Sequence, residues 1–105
     1  MRLHVWSAAE EELAQAALWY EDQREGLGVE FLDEYERCMK ELMVDPNRFP
    51  LLETLPVDRP IHRCRLARFP YAIVYEVLPD EVIVFAVSHL HRDPDLLIRR
   101  IGTRS

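Results

Sequence analysis

Four side chains in the second half of this chain have the types and spacing for acid–base and anion chemistry: Arg68, His89, His91 and Arg92. Histidine exchanges a proton near neutral pH. Arginine presents a planar fork of donors that fits a phosphate or a carboxylate. His89 and His91 are two residues apart, so they share a face wherever the chain is extended. They close a run, residues 61–94, that carries Arg63, Arg65 and Arg68 at its start and His-Leu-His-Arg near its end. Two histidines without a third converging ligand fall short of a zinc set, so neither a metal nor a cofactor is expected. Each of these residues also has a structural reading. The histidines can hydrogen-bond within the fold, and the arginines can decorate a solvent face. Arg92-Asp93-Pro94 has the composition of a turn braced by its aspartate, with Arg92 paired to an internal acid.

The elements that must position these residues follow from periodicity. Leu3 and Val5 alternate with Arg2 and His4, which predicts a short first strand. Ser7 with Glu10 three residues on reads as a capping box, so a helix is expected from about Ala8, with Glu10, Glu11 and Glu12 in its first turn. Ala9, Leu13, Ala16, Ala17 and Tyr20 recur at helical spacing, and Trp19 and Tyr20 are expected to anchor this helix to the core. Gly26-Leu27-Gly28 permits a tight turn. A second apolar stripe follows in Leu27, Phe31, Tyr35, Met39 and Leu42, ended by Asp45-Pro46. The short connection predicts an antiparallel helix hairpin.

Four prolines in residues 46–60 mark an ordered but irregular stretch. Strands are expected over 61–66, 71–78 and 81–88, joined closely enough to form an antiparallel meander. The later two are apolar on both faces, as central covered strands are. The fold class is therefore α+β, in the order β-α-α-β-β-β. The helix hairpin packs on one face of a small, mainly antiparallel sheet. The apolar and basic tail, residues 96–101, suits a short helix, a strand closing the sheet, or a partner surface.

Composition bounds what such a domain can do. The 105 residues are 49% hydrophobic and 30% charged, which fits one folded domain over residues 1–105 and argues against disorder. No apolar run approaches the length of a membrane span, and the N-terminus lacks the apolar length of a signal peptide. Cys38 and Cys64 form no C-x-x-C pair and read as buried free thiols in a reducing compartment, with a disulfide as the less supported alternative. A cytoplasmic location is expected. The net charge of −6 hides an asymmetry: residues 1–58 carry −9 and residues 59–105 carry +3. An acidic chain is a poor general nucleic-acid binder, but a locally basic face can still grip phosphate or an acidic partner.

Several strings taken together resemble one family. They are A-x-x-E-L-A-Q-A-A-L-W-Y-E-D-Q at residues 9–23, G-L-G-V-E-F-L at 26–32 and P-N-R-F-P at 46–50. To these add R-C-R-L-A-R-F-P-Y-A-I-V-Y at 63–75 and V-I-V-F-A-V-S-H-L-H-R-D-P at 82–94. In this order, over almost the whole chain, they are similar to the RelE/ParE toxin superfamily of type II toxin–antitoxin systems. The Arg-Phe-Pro-Tyr string and the later His-x-x-Arg resemble its ParE-like, plasmid-stabilisation branch.

The resemblance implies a growth-inhibiting toxin neutralised by an antitoxin whose C-terminal segment wraps it as a helix or added strand. ParE-like members inhibit DNA gyrase, whereas RelE-like members cut messenger RNA on the ribosome. A RelE-like nuclease would use Arg68, His89, His91 and Arg92, with Arg68 matching the phosphate-contacting arginine of that branch. Metal-free cleavage needs such a base, an acid and cations around the phosphorane. Two departures favour the non-cleaving mode: the lysines of RelE-like cutters are absent, Lys40 being the only lysine, and no tyrosine follows Tyr75. The binding residues expected toward an antitoxin or target are then Arg63, Arg65, Arg68, Tyr71, Arg92, Arg99 and Arg100. A weakly toxic binding module is a further alternative.

Overall fold

The computed structural model describes residues 1–52, 59–92 and 94–102. Their elements run β1 (Arg2–Val5), α1 (Ser7–Gln23), α2 (Leu27–Val44), β2 (Ile61–Arg65), β3 (Tyr71–Leu78), β4 (Glu81–His89) and α3 (Pro94–Gly102). The sheet order is β1-β4-β3-β2. The β2–β3–β4 part is the expected antiparallel meander, and β1 adds to β4 in parallel. The tail takes the helical option, so the open sheet is not closed by a further strand.

Strand periodicity divides the sheet into two apolar faces. Cys64, Ile73, Tyr75, Val82, Val84 and Val87 join Phe31, Cys38 and Leu42 in the core beneath the helix hairpin. Ile61, Val74, Phe85 and Ala86 join Trp6, Leu97 and Ile101 in a second core beneath α3. The alternation is broken once. The β3–β4 register slips at Val74/Tyr75, where Val74 pairs with Ala86 and Tyr75 with Val84. Phe85 is the extra residue of this bulge, which is why Phe85 and Ala86 both serve the α3 core. Trp6 meets Phe85 edge-on at 4.7 Å.

The hairpin closes around two glycines with different tasks. Gly26 supplies the left-handed turn at φ 87°. Gly28 lies within α2, where an added Cβ would sit 2.7 Å from the Ala17 carbonyl oxygen. That absence of a side chain lets the helices approach. Glu21 of α1 accepts the Gly26 and Gly28 backbone N–H groups at 3.0 Å each, satisfying donors at the start of α2.

Three expectations are corrected. The capping box does not form: α1 begins at Ser7, with Trp6 as its cap and no side-chain cap bond. The Trp6 carbonyl accepts from Ala9 and Glu10 instead, and the seating of its ring on Phe85 sets the helix start. Tyr20 does anchor α1, stacking on Phe31 and meeting Phe69 edge-on, but Trp19 is 58% exposed. β2 stops at Arg65, although Leu66 is buried beside it. Both cysteines are free and buried. The hydrogen bond between the Cys64 and Cys38 side chains, together with burial, pushes the Cys64 thiol well above its ordinary pKa. In the proline-rich stretch, Leu51 bridges His62, while residues 53–58 lie outside the described residues.

Candidate functional site

A groove of about 290 Å³ opens on the sheet face turned away from the helix hairpin. Ala72 and Val74 of β3 and Ser88 of β4 form its floor, Leu97 and Pro94 stand on the α3 side, and Leu52 lies on the β2 side. Arg63, His89 and Arg92 supply its polar lining. The placement of Arg63 follows from β2. Its neighbours Ile61 and Arg65 share its face, while His62 and Cys64 turn toward the hairpin. Arg65 is exposed beyond the groove and Arg99 lies on the outer side of α3. Arg63, Arg65 and Arg99 have no carboxylate partner among the described residues.

Three other expected site residues, Arg68, Arg92 and Arg100, are held by carboxylates of the helix hairpin. Arg68, in the β2–β3 loop, donates to Glu30 of α2 at 2.6 Å. Arg24 donates to the other Glu30 oxygen at 2.8 Å. Hydrogen bonds from Arg68 and then Arg24 hold the Glu30 carboxyl below the usual carboxylate range. Arg92 is bonded to Glu12 of α1, and Arg100 donates to the same carboxylate at 2.7 Å. The Glu12 side chain is only 11% exposed.

This cluster has a specific structural task. β1 ends at Val5, and Trp6 makes the last backbone bond to β4, at Val84. Beyond that point the β4 edge meets side chains: Glu12 accepts the Val87 N–H at 3.2 Å and Arg100 donates to the Phe85 carbonyl at 3.3 Å. An ion pair thus replaces the missing strand and satisfies an edge that would otherwise be open.

His89 ends β4, and its Nδ1 accepts the backbone N–H of His91 at 3.1 Å. The strand does not continue, so His91 belongs to the following turn, with the two rings 5.4 Å apart. Arg92 also donates its backbone N–H to the His89 carbonyl. Asp93, the expected brace of this turn, lies outside the described residues. Tyr71, the strand partner of His89, faces the hairpin and meets that imidazole edge-on at 5.1 Å. Burial raises the Tyr71 pKa, which keeps the phenol protonated at neutral pH. With Trp19, Gln15, Glu12 and Arg92 it borders a second cavity of about 220 Å³.

The structure therefore gathers Arg63, His89 and Arg92 around one groove, places Tyr71 against His89 from the other face, and fixes Arg68 to α2. The Glu12 hub and the Arg59 clamp were not expected. Arg59 holds buried Glu76 through two bonds, at 2.6 and 3.1 Å, and caps α3 at the Ile101 carbonyl. A lone acid inside an otherwise apolar β3 was the available signal for this clamp.

A chain of the solved structure described as the chromosomal ParDE TA system from P. aeruginosa shares the fold, with TM-score 0.69 and 16% identity over 85% of this chain and 95% of that one. No curated protein matches the sequence. The family model for the ParE toxin of type II toxin–antitoxin systems, parDE, matches residues 5–94. The chain belongs to the ParE toxin family.

Proposed function

We propose that this toxin inhibits DNA gyrase without cutting nucleic acid, and that an antitoxin segment restrains it by lying in the groove beside α3. Gyrase inhibition is the function of the family. The observation that carries the non-cleaving reading is the state of the candidate nuclease residues. Arg68 is paired with Glu30 at the surface, Arg92 is paired with the largely buried Glu12, and His89 braces its own turn. A phosphate approaching Arg68 or Arg92 would meet the Glu30 or Glu12 carboxylate beside it, and losing Glu12 would also strip the β4 edge of its cover.

The groove supports the antitoxin reading through its chemistry. It pairs an apolar floor with Arg63 and with Arg65 nearby, a match for an amphipathic segment bearing carboxylates. No helix of the described residues is long and apolar enough to cross a membrane. The decisive measurement is a supercoiling assay with purified gyrase, in which the toxin is expected to block supercoiling and trap DNA breaks. Unaffected supercoiling combined with codon-positioned cuts in translated messages, lost on His89→Ala, would replace this reading with the ribosome-dependent nuclease. Arg63→Glu with Arg65→Glu is expected to weaken antitoxin binding by about tenfold or more.

A further inference from the structure

The acids of the helix hairpin fall into two sets. Residues 7–45 hold twelve acids and three cations. Glu12, Glu21, Glu30, Glu34 and Glu41 are engaged within the fold, by arginines or by backbone N–H groups. The other seven, Asp22, Asp33 and Glu36 among them, have no side-chain partner among the described residues. Each of these three lies one helical turn after a large apolar residue that faces solvent: Leu18 at 67% exposure, Val29 at 60% and Leu32 at 37%. Positions four apart on a helix are neighbours on one face.

The three apolar residues also belong together in space. The close approach of Gly28 to Ala17 fixes the point where the helices touch. Leu18 follows Ala17 by one residue, Val29 follows Gly28 by one, and Leu32 follows Gly28 by one turn. Helical geometry therefore sets all three around that contact, on the side turned away from the sheet. Single exposed leucines are ordinary on a protein surface. An apolar centre at a helix crossing with an unpaired acid beside each member is a different object, and its composition restricts what can cover it.

Charge selects the occupant. DNA or RNA would meet Asp22, Asp33 and Glu36 with like charge. A two-fold pairing with a second copy would set the same acids against themselves, against which α2 offers only Lys40 and Arg37, the latter already paired with Glu34 and Glu41. A protein surface presenting lysine or arginine around an apolar centre has neither conflict. The antitoxin groove lies across the sheet, beside α3. We propose that the outer face of the α1–α2 hairpin, centred on Leu18, Val29 and Leu32, docks the toxin on a basic protein surface of its target, separately from the antitoxin groove.

This inference rests on the toxin reading, and its test separates the two. Leu18→Arg with Val29→Arg changes two exposed positions. An isosteric variant, Asp22→Asn with Asp33→Asn and Glu36→Gln, removes the charge without adding bulk. Both are compared with the wild-type chain for growth arrest on expression without antitoxin, inhibition of purified gyrase, and co-purification with the antitoxin. The double arginine variant is expected to relieve growth arrest and to raise the concentration for half-inhibition about tenfold or more, with antitoxin affinity within about twofold. The charge-neutral variant is expected to lose part of the inhibition and to show less sensitivity to added salt than the wild type. Full growth arrest and full gyrase inhibition by both variants would overturn the proposed face. If the arginine variant also loses the antitoxin, the isosteric variant decides. A wild-type chain that leaves gyrase untouched, while both variants relieve growth arrest, removes gyrase as target and keeps the docking face. A wild-type chain that neither arrests growth nor affects gyrase overturns both.

Discussion

On the two sides of this small sheet, charge is handled in opposite ways. Beside α3 the cations nearest the β4 edge are folded into the structure: one carboxylate, Glu12, holds Arg92, Arg100 and the Val87 N–H. On the outer hairpin the acids Asp22, Asp33 and Glu36 stand in solvent next to exposed leucine and valine side chains. The first arrangement has a structural explanation that is complete within the chain: a strand is missing and an ion pair covers the gap. The second has none, since the hairpin core is already filled by Phe31, Cys38, Met39 and Leu42 on its inner side. Committed charge marks what the fold needs, and uncommitted charge beside uncommitted apolar surface marks what is left for partners.

The comparison breaks most visibly at Glu12. Glu12→Ala removes the Glu12 carboxylate from two partly buried guanidinium groups and one backbone N–H. Denaturant unfolding is expected to show a loss of about 3 kcal/mol, the cost of removing one partner of a buried pair. Glu12→Gln keeps an acceptor for Val87 and for one arginine, so it is expected to lose clearly less. Equal losses from the two would mean that the charge, and not the covered edge, is what the fold requires.

The hairpin side has its own structural test. Gly28→Ala places a Cβ against the Ala17 carbonyl, a backbone atom that cannot rotate away. The helices must separate or shift, at an expected cost of about 1–3 kcal/mol. The same shift displaces Leu18 from Val29 and Leu32. Growth arrest should therefore weaken more than antitoxin binding, and equal weakening of both would argue that the two surfaces are not independent.

Much of this architecture is legible from periodicity, because the elements with strong patterns are local. The α2 stripe from Leu27 to Leu42 and the β3 span need only their own neighbours to be recognised. What escapes is set by contacts far apart in the sequence. Glu12 sits in a run of three glutamates at a helix start, where the dipole alone accounts for acids. Its actual partners, Val87, Arg92 and Arg100, lie at least 75 residues away. Ser7 and Glu10 have the right types for a capping box, but with Trp6 packed on Phe85 as the cap the helix already starts at Ser7, which places both residues inside it. Trp19 falls beside the core stripe by spacing, and only the position of β4 relative to α1 leaves it at the edge of a cavity. For the site, single-residue chemistry located the arginines and histidines. Which of them are internally neutralised depends on tertiary structure.

A smaller effect separates committed from uncommitted acids by pH. The folded-state pKa of Glu30 lies below its ordinary value because Arg68 and Arg24 favour the carboxylate. A lowered folded pKa means that the unfolded chain takes up the proton first as pH falls. The stabilisation from Glu30 is therefore complete above its unfolded pKa, 4.5, and is lost as pH drops through the folded value. Thermal unfolding followed from neutral pH to pH 3 should fall less steeply for Glu30→Gln than for the wild type, because that variant has no proton to take up. The effect is modest, since the pair is solvent-facing and screened.

The least effect is expected where the acids are free. Asp22→Asn and Asp33→Asn remove charges that form no ion pair among the described residues, so stability should move by no more than about 0.5 kcal/mol. The direction should be toward higher stability at low salt, because each change lowers the repulsion within a helix pair carrying nine net negative charges over residues 7–45. A stabilised protein with weakened inhibition is the signature of residues retained for a partner at the fold's expense. Were the same substitutions to destabilise the chain by more than about 1 kcal/mol, Asp22 or Asp33 would have a structural task. The division between committed and uncommitted acids would then fail on the side where it matters most.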